Sequence, residues 1–163
     1  MRTTILTLLL AVGATLALTA QNITQTRIVD ASADEVWEVL RDLDNIAELS
    51  SYVARVEYTG ANGAGGSRVC HAPDGNGKFR ENIVEFSDET RSYRYAVVEG
   101  VPAQGLVNAF RVIDLGYNKS MIVWTSGYEA FVENPQMTEE QFAGFLTQAS
   151  DEMIDNVVKL AKA

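Results

Sequence analysis

The sequence predicts an α+β domain: a curved antiparallel sheet of about seven strands, closed round one long C-terminal helix, with two short helices after the first strand. Three observations carry that prediction. From Lys78 to Val98 the residue types alternate on either side of the turn Ser87-Asp88-Glu89-Thr90, which is the period-two signature of strands covered on one face. Most of the other strand-like runs are also joined by short glycine- or asparagine-bearing turns, and short turns make antiparallel neighbours. Finally, Phe142, Leu146, Ala149, Met153, Val157 and Leu160 recur at helical spacing, giving one amphipathic helix of roughly 23 residues at the end of the chain.

Taken in order, a first strand is expected over Asn22 to Val29. Ser32-Ala33-Asp34-Glu35 is a capping box, with Ser32 as N-cap and Glu35 three residues on, and it opens a helix carrying Val36, Trp37, Val39 and Leu40. A second short helix falls near Asn45 to Leu49. Strands follow at Tyr52 to Tyr58 and Ser67 to His71, joined by Gly60-Ala61-Asn62-Gly63-Ala64-Gly65-Gly66, where glycine permits positive φ. Pro73-Asp74-Gly75-Asn76-Gly77 makes the next turn, leading into the two alternating arms. Beyond them come a loop over Glu99 to Gly105 and strands at Leu106 to Leu115 and Ser120 to Phe131. A second capping box, Thr138-Glu139-Glu140-Gln141, starts the closing helix, flanked by Met137 and Phe142 in the positions of a hydrophobic staple.

The first twenty residues read differently. Met1-Arg2 is a short positive start, Ile5 to Leu18 is an apolar run of 14 residues, and Leu18-Thr19-Ala20 is a small-residue cleavage site. That is the layout of a secretory signal peptide, and the run is short of the roughly 20 residues that span a bilayer. The expectation is residues 1–20 as signal and 21–163 as one domain, exported to the periplasm or the medium without a permanent membrane anchor. Losing Arg2 with the leader moves the net charge from −9 to −10. So acidic a chain is a poor match for nucleic acid or anionic membrane surfaces, which attract basic patches. The single Cys70 cannot form an internal disulfide, so the core must hold the fold.

Several segments together carry a family resemblance. They are Ala31-Ser32-Ala33-Asp34-Glu35-Val36-Trp37, Gly65-Gly66-Ser67-Arg68, Arg80-Glu81-Asn82-Ile83 with Asp88-Glu89, Tyr93-Arg94-Tyr95, and Ile122-Val123-Trp124. With the element order, they resemble the helix-grip fold of the START-like (SRPBCC) superfamily over essentially the whole of residues 21–163. That superfamily includes polyketide cyclases/dehydrases, lipid-transfer domains, pollen-allergen-type carriers and plant abscisic-acid receptors. The resemblance implies a cavity between sheet and C-terminal helix that takes a mostly apolar small molecule. The receptor branch has a Ser-Gly-Leu-Pro-Ala gate and a His-Arg-Leu latch. Here the loops read His71-Ala72-Pro73-Asp74-Gly75 and Val101-Pro102-Ala103-Gln104, and no lysine lies near Ser50-Ser51-Tyr52. Hormone sensing is therefore not implied, and the cyclase/dehydrase-like pattern fits better.

Candidate cavity residues follow from strand parity and from the resemblance. If Phe79 and Ile83 face inward, so does Glu81, a carboxylate among apolar neighbours that matches a pocket carboxylate of the receptor branch. It is either a polar anchor or acid/base group for a ligand, or a carboxylate paired with Arg80, Arg94 or Arg111 or lying at a wet rim. Tyr93, Tyr95 and Val97 share a face and form either pocket wall or packed core. Phe142, Leu146, Ser150 and Met153 supply the helix side, where Ser150 is the polar member. Asn108 and Arg111 lie on a strand whose parity is ambiguous, because apolar residues occupy both faces.

Other chemistries find little support. His71 and Cys70 are adjacent on a strand and face opposite ways, so they do not readily share a metal, and no other Cys or His is available. No nucleophile elbow, phosphate loop or dinucleotide fingerprint occurs, and no cofactor is indicated. Asn22-Ile23-Thr24 and Asn118-Lys119-Ser120 are glycosylation sequons, meaningful only in a eukaryotic secretory route. The leading expectation is an exported carrier of a hydrophobic small molecule such as a lipid, polyketide or terpenoid. The alternatives are a cyclase/dehydratase-like enzyme using Glu81 and Tyr95 as acid/base groups, or an accessory protein that contacts an exported enzyme through its acidic surface.

Overall fold

In the computed structural model the described residues are 21–163; the leader proposed for residues 1–20 lies outside them. The chain runs β1 (Gln21–Val29), α1 (Ala33–Leu40), α2 (Ile46–Leu49), β2 (Arg55–Thr59), β3 (Ser67–His71), β4 (Lys78–Ser87) and β5 (Ser92–Glu99). It continues through β6 (Ala103–Gln104), β7 (Leu106–Gly116), β8 (Lys119–Tyr128), β9 (Ala130–Phe131) and α3 (Glu139–Ala161). Seven strands form one antiparallel sheet in the order β1-β8-β7-β5-β4-β3-β2. The expected class, a helix-grip α+β fold, is therefore the observed one.

Both capping boxes are closed. The Ser32 Oγ accepts from the Glu35 amide at 3.2 Å while Glu35 accepts from the Ser32 amide at 2.7 Å, and Thr138 and Gln141 make the same exchange at 3.2 and 2.8 Å. Glu139 and Glu140 occupy the first turn of α3, where negative charge complements the helix N-terminus. The apolar stripe of α3 faces the sheet and α1, with Phe142, Leu146, Met153, Ile154 and Val157 buried. Its flanks are tied down on two sides. Toward β1, Gln25 donates to the Thr147 carbonyl at 2.9 Å and Arg27 pairs with Asp151 and Asp155. Toward α2, Asn156 donates to the Leu49 carbonyl at 3.0 Å and Glu152 accepts from the Ser51 amide at 3.0 Å.

Register shifts in β4 lie between Arg80 and Glu81 and between Ile83 and Glu85, and another falls near the end of β7 between Asp114 and Gly116. Such bulges bend and twist a strand, which is how a sheet of this size curves round a helix. Alternation holds along β7 and β8, burying Leu106, Asn108, Phe110 and Val112 on one strand and Ser120, Ile122, Trp124, Ser126 and Tyr128 on the other. That fixes the parity left open by sequence: Asn108 faces in, Arg111 faces out.

Two boundaries differ from expectation. The second strand begins at Arg55 rather than Tyr52, because Tyr52 is drawn off to stack edge-on against Phe145 with ring centroids 5.0 Å apart. The run to Phe131 breaks after Tyr128. Ala130 and Phe131 turn away to pair with Ala103 and Gln104, so part of the expected loop over Glu99 to Gly105 is strand in a separate two-stranded sheet. Gly105, at φ +63°, allows this departure, and a β-carbon there would sit 2.7 Å from the Glu129 side chain. Among the described residues no helix is long and apolar enough to cross a membrane.

Candidate functional site

A cavity of about 330 Å³ lies between the sheet and α3, within the size range of small-molecule sites. Its sheet wall is Arg68 of β3, Phe79 and Glu81 of β4, Tyr95 and Val97 of β5, Leu106 and Asn108 of β7, and Trp124 of β8. Phe142, Phe145, Leu146, Ala149, Ser150 and Met153 of α3 form the opposite wall. Ile46, Ser50, Tyr52 and Val53 close one flank, and Gly100 to Pro102 with Asn134, Gln136 and Met137 form the more exposed rim. The small β6–β9 sheet is stitched to that rim, with the Val132 amide donating to the Pro102 carbonyl at 2.9 Å.

Nine of the eleven expected cavity residues are in this lining: Phe79, Glu81, Tyr95, Val97, Asn108, Phe142, Leu146, Ser150 and Met153. Ile83 and Tyr93 lie outside it. Both are buried on the inner face, but Tyr93 is stacked among Trp37, Tyr95 and Phe110, with centroid separations of 6.4, 5.7 and 5.7 Å. Parity tells which face a side chain takes; it does not tell how far along the strand the hollow ends and packed core begins.

Glu81 is 5 % exposed, and its partner is Arg68, at 1 %, rather than any of the three arginines expected from sequence. Arg80 pairs with Glu99 and Arg94 with Glu85, both on the outer face, and Arg111 is exposed. Arg68 donates from Nε to Glu81 and from Nη1 to the Leu43 carbonyl at 2.8 Å, and its guanidinium carbon lies 4.9 Å from the centre of the Tyr95 ring. Burial acts most strongly, against the charge on Arg68, but the Glu81 carboxylate, together with smaller contributions from Tyr93, Tyr95 and Cys70, holds the guanidinium above its ordinary pKa. Burial likewise raises the hydroxyls of Tyr93, to about 12, and of Tyr95, where the nearby Glu81 charge adds to the effect. Cys70, beside this pair on β3, is buried and its thiol is pushed up to about 12. Ser150 turns its hydroxyl back to the Thr147 carbonyl at 2.9 Å, so it adds little polarity to the hollow.

Sequence reasoning missed Arg68 as a site residue although the signal was present: it is two residues from Cys70, already expected to be buried, so it shares that inward face. In the sequence Trp124 is marked only by the Ile122-Val123-Trp124 motif. Ala149 belongs to the apolar row of the closing helix, and Phe145 lies beside it, within reach of the same periodicity. The rim residues had no periodic signal.

An antiparallel sheet wrapped on a long helix, with an apolar hollow between them and a buried ion pair in its wall, defines a helix-grip protein. The chain belongs to the family described as polyketide cyclase / dehydrase and lipid transport, whose profile matches residues 20–162. Among solved structures it is similar to an aromatase/cyclase from Streptomyces sp. R1128, at 20 % identity over 88 % of this chain and 94 % of that one, with a TM-score of 0.75. It is also similar to norcoclaurine synthase from Thalictrum flavum, at 19 % identity over 98 % of each chain and a TM-score of 0.71. The protein XoxI from Bacillus cereus is similar at 17 % identity over 85 % and 93 %, with a TM-score of 0.73. At these identities the likeness is one of fold. Comparison with curated proteins by sequence returns no match.

Proposed function

We propose that the protein is an exported carrier that holds a mostly apolar small molecule between its sheet and α3. The observation that supports this reading best is the lining itself. Among its residues the only charged ones are Arg68 and Glu81, and they are paired with each other. An apolar molecule entering the cavity gains about 25 cal/mol per Å² of apolar surface removed from water. The same pairing counts against Glu81 as a free general base, and the raised Tyr95 hydroxyl is a weak acid near neutral pH.

Native mass spectrometry of the protein purified from its own cells tests the carrier. A retained lipid, polyketide or terpenoid-like molecule is the expected result. A stable complex with another protein, its cavity empty, would count for the accessory reading instead. Tyr95→Phe tests the enzymatic alternative through turnover alone: loss of a turnover present in the wild type would count for the enzyme, whereas a carrier shows none in either form. Export is tested by sequencing the mature N-terminus, expected at Gln21.

A further inference from the structure

Among the described residues seven buried side-chain nitrogen or oxygen atoms lack a hydrogen-bond partner in the protein, and two of the seven belong to the cavity wall: Asn108 Oδ1 and Trp124 Nε1. They are neighbours by register. Asn108 stands opposite Tyr95 of β5 on one side and Ser126 of β8 on the other, and Trp124 is two residues from Ser126 on the same inner face. The Tyr95 hydroxyl lies beside the indole nitrogen without an aligned hydrogen bond. Asn108 and Trp124 are 4 % and 2 % exposed. A buried donor or acceptor left unmet disfavours the folded state, so an orphaned acceptor and an orphaned donor on two residues that line one hollow mark a place where a bound group can supply both halves.

A hydroxyl group does so, donating to the amide oxygen and accepting from the indole N–H. Charge narrows the choice further. With Arg68 already bound to Glu81, a ligand carrying a formal charge would be buried without a free counter-ion. We infer that Asn108, Trp124 and the Tyr95 hydroxyl form a recognition subsite for a neutral hydroxyl, a phenol or an alcohol, on an otherwise apolar ligand. This rests on the carrier reading above and adds the ligand's polar group to it.

The test uses calorimetric titration of the mature protein with para-butylphenol, butylbenzene and para-butylbenzylammonium. A purely apolar site would rank butylbenzene first, since the phenol gives up hydrogen bonds to water on entering. The expected result is the reverse, with the phenol bound about tenfold more tightly than butylbenzene. Asn108→Leu and Trp124→Phe should each erase that preference, read as the ratio of phenol to butylbenzene affinity within the same variant. Asn108→Leu replaces an unmet polar group by an apolar one of similar size and should not lower the melting temperature; Trp124→Phe also gives up part of a buried ring, so its melting temperature should fall modestly while the phenol preference is lost. Equal affinity for phenol and hydrocarbon, a preference that survives both substitutions, or tighter binding of the ammonium would overturn the subsite and leave the carrier standing. If none of the three binds, the carrier reading falls and the subsite with it.

Discussion

Arg68 and Glu81 are each held in place by the other, and that dependence is measurable. Arg68→Met leaves a carboxylate buried without its partner, and urea unfolding should show a loss of about 3–5 kcal/mol. The double variant Arg68→Met, Glu81→Leu removes both charges and should recover most of that loss, which a simple sum of two damaging changes would not do. Asp88 gives a residue-scale prediction of another kind. Its carboxylate accepts from Arg41 Nε at 3.0 Å and from Trp37 Nε1 at 2.8 Å, and these hydrogen bonds hold its pKa below the ordinary 3.8. A lowered carboxylate pKa adds stability above the unfolded value, and that stability is lost as pH falls through the folded one. Asp88→Asn should therefore melt below wild type near neutral pH, and the gap should close as acid unfolding is followed below about pH 4. At this scale the sequence was legible where alternation was strict, as for Phe79, Glu81, Tyr95 and Val97. It was not legible for the partner of Glu81, because pairing across β3 and β4 depends on a register that no single strand encodes.

The helices were the most readable elements, since a cap and a period announce both where a helix starts and which face it buries. Thr138→Ala removes the acceptor for the Gln141 amide at the head of the 23-residue α3 and should cost about 1 kcal/mol, read as a lowered melting temperature. Thr138→Ser should restore most of it. Because the same helix end places Phe142 in the cavity wall and Glu139 against the Tyr128 hydroxyl at 3.1 Å, ligand affinity is a second readout for the alanine variant. The β6–β9 pairing was not readable. Two residues on each side carry no alternation, and the pairing exists only because Gly105 lets the chain leave the line of β7. Tyr52 shows the same limit, where a tertiary contact with Phe145 overrides a plausible strand start.

For the molecule as a whole, the element order and the closing helix allowed the architecture to be anticipated, but the volume of the hollow was not. Volume is set by how far the bulges of β4 bend the sheet and by which rings stack into solid core, as Tyr93 does, and neither is a property of one segment. Cys70 offers a probe of the intact fold. With its side chain fully buried and its thiol at about 12, it should resist a thiol reagent in the native state and react only as the molecule opens. Its labelling rate should then follow global stability across the Arg68 and Thr138 variants; rapid labelling of folded wild type would contradict the burial described.

The sheet order also sets a clock. β1 pairs with β8, joining Gln21 to Tyr128 across about a hundred residues of intervening chain, so among the described residues the first strand waits for nearly the last. Contacts so distant along the sequence form slowly. Until β8 is available β1 has no neighbour in the sheet, and the wall stays unzipped along one side.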